Sequence, residues 1–327
     1  MTDLPTCVFW SLPSQSEFFT LEHAANDEAN DHFVFAPFDQ SAGVLKLNGR
    51  SKQVDLADIK LVRPAAACTT PSTAQSDYLE QLRKTLKIIT EGQLDKVVVS
   101  TVTQVQINIA LNEVLQRLRT AHPNTFVYAF SHPQAGLWIG ATPEPLVRSL
   151  DEANRYMTVS LAGTRQREID IVPWGQKESL EQSVVTDYIR TQLLTAGASE
   201  LHITRPETIG YGNLEHLRST LSFHTASIDG VIAHLHPTPA VAGTPLQVAT
   251  AHIRASEKHN RAYYTGYLGL KRREQQVDLF VNLRCMQLFS DCALVYTGGG
   301  ITFESDPDDE WRETRNKLAA LVNTFAQ

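Results

Sequence analysis

Short β-rich runs that follow one another as neighbours, with few helices between them, limit this chain's fold more than any other feature. Lys96 to Ile107 (KVVVSTVTQVQI) alternates and is rich in β-branched residues, which predicts a strand. Phe126 to Ser131 and Leu137 to Gly140 predict two strands joined by HPQAG, a hairpin-type connection. Tyr156 to Ala162 reads as another strand, and Tyr211 to Ile228 contains one more. Leu279 to Phe289 and Ala293 to Thr297 predict a second hairpin across Ser290-Asp291. Helical spacing appears at Ser76 to Glu91 (Leu79, Leu82, Leu86, Ile89), Leu111 to Ala121, Ser179 to Leu194 and Leu246 to Leu268. A last helix opens at Asp306-Pro307, with Asp as N-cap and Pro in the first turn. Hairpins outnumber βαβ alternations, so the fold class is α+β, with mostly antiparallel sheets and helices packed outside.

Length and charge narrow the function. At 327 residues the chain exceeds the usual single domain, though a large two-sheet domain reaches this size. No linker or repeat marks a boundary. Residues 1–75 read as a short variable N-terminal part of the same domain and residues 76–327 as its core. A net charge of −7 argues against nucleic acid, which needs a basic patch. It also means that an anionic ligand must be met by locally concentrated positive groups. Cys7, Cys68, Cys285 and Cys292 are scattered without a C-x-x-C pair, as expected of reduced thiols in a cytoplasm. The start, MTDLPTCVFW, lacks a signal-peptide pattern, and no apolar run approaches the ~18 residues of a membrane span. The expectation is a soluble cytoplasmic protein with no membrane or nucleic-acid partner.

Several polar residues stand where apolar ones are expected. Glu181 lies at the edge of the stripe Leu180, Val184, Val185, Tyr188 and Ile189. On that helix alone the ordinary reading is a carboxylate reaching solvent or pairing with an arginine. In the last helix Trp311, Leu318, Leu321, Val322 and Phe325 form the apolar face, with Glu310, Glu313 and Lys317 in the next row. Acids near a helix N-terminus suit its dipole, and Glu313 with Lys317 reads as an i,i+4 surface pair. Thr297-Gly298-Gly299-Gly300 is either a tight turn or a backbone nest for an anion. Lys96 at a strand end is ordinarily solvated. Arg284 inside LFVNLRCMQLF is harder to dismiss, because burying it requires a carboxylate or an anionic ligand.

Taken in order, LDKVVVST, GLWIGATPEPLV, SLAGTRQR, KESLEQSVVTDYI, LEHL, LHPTPAVAGTP, RAYYTGYLG, FVNLRC and YTGGGITFESDPDDEWRETRNK resemble the chorismate-binding enzyme family. That family includes isochorismate synthases, salicylate synthases, anthranilate synthase component I and aminodeoxychorismate synthase. The resemblance runs from about Leu94 to the C-terminus and implies a large, mostly antiparallel two-sheet sandwich with outer helices. It implies Mg²⁺ on Glu181 and Glu313, with Glu310 a further acid near the metal. Arg284 and Tyr264 match the pair that holds the pyruvyl carboxylate, and Gly298 and Gly300 match glycines whose amides bind the ring carboxylate. Gly163, Thr164 and Ala240 fall in further substrate-binding motifs. His216 matches a histidine near the departing group, Glu144 the general acid and Lys96 the base that activates water.

The chain departs from the family at Gln182, where His is usual, and at Ala242-Gly243, where Gly-Gly is common. By resemblance, ammonia-using members carry Gln where this chain has Lys96 and Thr where it has Ala240. Aminodeoxychorismate synthases carry Lys where it has Ala162. The residues here are of the water-using type, which implies conversion of chorismate to isochorismate without a glutaminase subunit. Salicylate formation shares the first step and remains the alternative, and a chorismate-binding protein without turnover is a more distant one. The resemblance leaves open whether a menaquinone, siderophore or salicylate pathway is served.

Overall fold

The computed structural model describes residues 4–22, 31–166, 173–211 and 214–325. In chain order the first strands are β1 (Cys7–Ser11), β2 (Phe18–Glu22), β3 (Asp31–Ala36) and β4 (Leu45–Val54). Helix α1 (Gln75–Thr90), β5 (Lys96–Val105) and α2 (Leu111–Ala121) follow. Then come β6 (Phe126–His132), β7 (Gly136–Thr142), β8 (Pro145–Ser149), β9 (Arg155–Gln166) and α3 (Gln176–Thr195). The next strands are β10 (Ser199–Ile203), β11 (Glu207–Tyr211) and β12 (Leu214–His224), followed by α4 (Ile228–Leu235), β13 (Gly243–Thr244) and α5 (Leu246–Ser256). The chain closes with β14 (Tyr267–Lys271), β15 (Val277–Val281), β16 (Cys285–Leu288), β17 (Ala293–Ile301) and α6 (Pro307–Val322).

Two antiparallel sheets result. The first runs β4-β2-β1-β6-β7-β16-β17-β5-β13. The second runs β4-β3-β14-β15-β8-β9-β12, with β10 and β11 both against β12. The long strand β4 belongs to both, pairing with β3 through its first half and with β2 through its second.

Period-two patterning explains the layers. In β6, Phe126, Tyr128 and Phe130 face an aromatic core between the sheets, with Trp10, Phe33, Phe35 and Trp138. The alternate residues Val127 and Ala129 pack instead with Val114, Leu115 and Leu118 of α2. Every residue of β6 but the last is therefore buried, and each large apolar side chain removed from water contributes roughly 1.5–3 kcal/mol. Outside the second sheet, Val185, Ile189 and Leu193 of α3 pack with α4 on Leu221 and Phe223. No helix among the described residues is long and apolar enough to cross a membrane.

Three sequence expectations are corrected. The apolar run Leu279 to Phe289 is not one strand: β15 ends at Val281 in the second sheet and β16 starts at Cys285 in the first. The break falls at Arg284, whose φ of +48° is incompatible with a continuous strand. Leu246 to Leu268 is helical only as far as Ser256; beyond it Ala262 and Thr265 take positive φ and lead into β14. On α3, Leu180 and Val184 are exposed, and the buried row is Gln182, Val185, Ile189 and Leu193.

Candidate active site

The glycine run shows how the site is built. β17 lies antiparallel to β5, with Gly298 opposite Ser100 and Gly300 opposite Val98. A Cβ on Gly300 would stand 2.8 Å from Lys96 Cε, and one on Gly298 would stand 3.0 Å from the Tyr264 hydroxyl. On Gly299 a Cβ would meet Glu310 Oε2 at 2.8 Å. The three glycines let one strand carry a lysine, a tyrosine and a glutamate flat against its backbone.

Those groups open onto a cavity of about 560 Å³, within the range of small-molecule sites. Lys96, Glu144, Gly163, Glu181, His216, Ala240, Tyr264, Arg284, Gly298, Gly300, Glu310 and Glu313 all line it. The backbone of Thr164 pairs with His216; its side chain lies outside the described residues.

Two sharp crossings between the sheets supply opposite charges. Glu144 sits where β7 passes into β8, and Arg284 where β15 passes into β16. The crossings are tied together: Val281 N–H donates to the Glu144 carbonyl at 2.9 Å and Ala141 N–H to the Arg284 carbonyl at 3.0 Å. Glu144 is 8% exposed, and burial pushes its carboxyl up to about 7 against the pull of Lys96. Burial also lowers Lys96 from its ordinary value, while Glu181, Glu144 and Glu310 draw it back. His216 is driven down to about 4 by burial and by the Lys317 ammonium, despite a hydrogen bond to the Gly163 backbone. It is therefore neutral at neutral pH. Tyr264, stacked on Tyr296 with centroids 5.3 Å apart, is kept protonated by burial.

Lys317 is not a surface partner. Its Nζ lies 2.6 Å from Glu313 Oε1 and donates to the Gly298 carbonyl at 2.9 Å, with the side chain 20% exposed. Burial opposes ionisation of Glu313, yet Lys317, His216 and Arg284 hold its carboxyl below the usual range. Helical spacing gives the Glu313–Lys317 pair but not its depth. Glu178, one turn before Glu181, also lines the cavity; its i,i+3 spacing was the available signal. Gly163, at φ +71°, lets α3 approach, since a Cβ there would meet Glu178 Cβ at 3.2 Å.

A further group went unread in the sequence. Arg261 forms a buried bidentate pair with Glu257, its Nε donating to Oε2 at 2.9 Å and its Nη2 to Oε1 at 2.7 Å. The same guanidinium donates to the Val98 and Val241 carbonyls at 2.7 and 2.9 Å. It thus clamps the strand bearing Lys96 to the turn bearing Ala240. The i,i+4 spacing of Glu257 and Arg261 was the available signal for the pair, whereas the Val98 and Val241 contacts leave none.

A sequence profile described as chorismate binding enzyme matches residues 32–326. The chain belongs to the chorismate-binding enzymes. It is 29% identical over 266 residues to the isochorismate synthase EntC of Escherichia coli (strain K12), covering 77% of this chain and 67% of that one. Its fold matches MenF, the menaquinone-specific isochorismate synthase of Escherichia coli, with TM-score 0.81 at 22% identity, over 99% and 89% of the two chains. It also matches anthranilate synthase component I of Streptococcus pneumoniae TIGR4, with TM-score 0.73 at 16% identity, over 98% and 92%.

For a chorismate-binding enzyme the metal question turns on the donors. Glu181, Glu310, Glu313 and Glu178 face one cavity, and carboxylate oxygens are what a hard cation such as Mg²⁺ takes. Glu313 is held by Lys317, and Glu310 accepts from Ser305 Oγ at 2.7 Å. Among the described residues no three Asp, Glu, His or Cys side chains already converge on a point. The donor set fits magnesium in kind, with oxygen ligands only. Gln182, at the usual histidine position, anchors α3: its Nε2 donates to Ser160 Oγ at 3.0 Å and Ser219 Oγ at 3.2 Å. Ala242 donates its backbone N–H to the Thr238 carbonyl at 3.0 Å, keeping the Ala240 turn closed.

Proposed function

We propose that this enzyme converts chorismate to isochorismate. The observation that carries the reading is the pairing of Lys96 with a buried Glu144 in one cavity, beside Ala240 and Ala162. The reaction adds water at C2 of the ring while the C4 hydroxyl leaves, so one proton is taken up and one is given. Neutral Lys96 takes the proton from water as the C2–O bond forms. Glu144 gives its proton to the C4 oxygen, which departs as water while the ring double bond shifts. The form with neutral Lys96 and protonated Glu144 carries the same net charge as the ion pair, so the two interconvert by moving one proton.

The other residues position the substrate. Arg284 and Tyr264 take the pyruvyl carboxylate, and the Gly298 and Gly300 amides take the ring carboxylate. His216, neutral at working pH, serves as a hydrogen-bond partner near the departing oxygen. Magnesium on Glu181 and Glu313, with Glu310 beside it, would neutralise the ring carboxylate in a chain whose own charge repels a dianion.

Incubation of the purified chain with chorismate and Mg²⁺ tests this, with products separated by chromatography. The expected outcome is a reversible mixture of chorismate and isochorismate. A lactate dehydrogenase couple reads pyruvate at the same time. Stoichiometric pyruvate with fluorescent salicylate assigns the chain to salicylate formation instead, and no turnover leaves a binding protein.

A further inference from the structure

Beyond Arg284 lies a second cavity of about 500 Å³. Pro143, Ile209, Arg218, Arg284 and Lys317 line both it and the catalytic cavity, so the two adjoin. Its remaining walls come from the His122–Thr125 turn after α2 and from Asn316, Ala320 and Leu321 on α6. No aspartate or glutamate lines it among the described residues, in a chain of net charge −7.

The cations are not equivalent. Arg218 pairs with Glu207 and Lys317 with Glu313. Arg284 donates to the Lys317 carbonyl at 3.3 Å and borders both spaces. A guanidinium carries five N–H donors in a rigid plane and can meet ligands on two edges. Asn316, Asn124 and His122 add neutral polar groups, while Pro123, Pro143, Ile209 and Leu321 give apolar walls.

We propose that this second cavity binds a small carboxylic acid with an apolar body, held at Arg284 from the side away from the catalytic cavity. An acid bound there sets a second negative charge against the same guanidinium and so weakens binding of the substrate's carboxylate. That inhibitory consequence rests on the assignment of Arg284 to the substrate's carboxylate; binding itself does not.

Benzoate is the probe and benzamide its neutral control. Calorimetric titration of the full chain should show one benzoate bound per chain and no benzamide. Ala320→Phe fills the second cavity from α6 without touching the catalytic one. It should weaken benzoate about tenfold or more while leaving kcat and KM for chorismate unchanged. Asn316→Glu, which places a carboxylate at the same wall, should also weaken benzoate about tenfold or more, and as a tethered acid near Arg284 it should raise KM for chorismate; it stands in if the phenylalanine variant misfolds. Equal binding of benzamide, no binding of benzoate, or benzoate affinity unmoved by both substitutions overturns the proposal. The titration needs no turnover, so failure of the isochorismate assignment leaves its outcome readable.

Discussion

Gly300→Ala isolates the placement of Lys96 from everything else in the site. The new methyl carbon would lie 2.8 Å from Lys96 Cε and 3.4 Å from Nζ. Carbon atoms settle at about 3.5–4.0 Å, so the lysine must retreat by roughly 1 Å. The Gly300 backbone is not in the left-handed region and its side-chain position faces the cavity, so alanine fits the strand. The amide assigned to the ring carboxylate is also retained. A displacement of about 1 Å from a near-attack geometry lowers the rate by about 10²-fold, or about 2.7 kcal/mol of barrier. The variant should therefore show kcat down about 10²-fold, KM for chorismate nearly unchanged, and a melting temperature equal to or above the parent's, since alanine orders a strand at lower entropic cost than glycine. Steady-state assay by chromatography, with a thermal melt on the same preparation, reads all three. A variant that turns over at the parent rate refutes the placement of Lys96 against Gly300, and a raised KM with unchanged kcat shifts the glycine's importance to binding.

Glu144→Gln should lower kcat by about 10²–10⁴-fold. In the parent the rate should peak between two apparent pKa values of the Lys96–Glu144 pair, one near 7; the variant should keep one limb, on which rate rises with pH as Lys96 loses its proton. A two-limbed profile in the variant removes Glu144 from proton transfer. EDTA should abolish turnover and Mg²⁺ restore it, while Glu313→Gln should raise the Mg²⁺ concentration for half activity with the melt unchanged; full turnover in EDTA eliminates the metal. Glu257→Gln leaves Arg261 buried without its counter-ion and should lose about 3–5 kcal/mol of unfolding free energy in urea. Unfolding at the parent midpoint would show that the pair is not a clamp.

Much of this was legible because local chemistry declares itself locally. Asp306 caps α6 by accepting from the Asp308 and Asp309 amides, as its position before Pro307 implies. The alternation from Lys96 onward is strand β5; the glycine run, read as a tight turn or an anion nest, instead continues strand β17 to Ile301. What stayed hidden depends on partners far along the chain. Nothing near Leu283 says that an apolar run must leave one sheet for another at Arg284. The Arg261–Val98 contact spans 163 positions, so the break after Ser256 has no cause visible in its own neighbourhood. On α3, hydropathy favoured Leu180 and Val184, but the facing surface is polar at Ser160 and Ser219, and it selects Gln182.

The paired crossings that carry Glu144 and Arg284 bear on how such a site diversifies. Two backbone hydrogen bonds join these bends, so the groups proposed above as proton donor and pyruvyl anchor are tied to each other. Lys96 stands on a different ladder, shared with β17 and β13 and gripped from behind by Arg261. The residue presented at position 96 can therefore change without touching either of the hydrogen bonds that join the two bends. On the proposed reading, the architecture thus separates a constant departure from an adjustable arrival. A new nucleophile can be tried by altering the face of one strand and the turn at Ala240, without rebuilding the machinery that expels the hydroxyl.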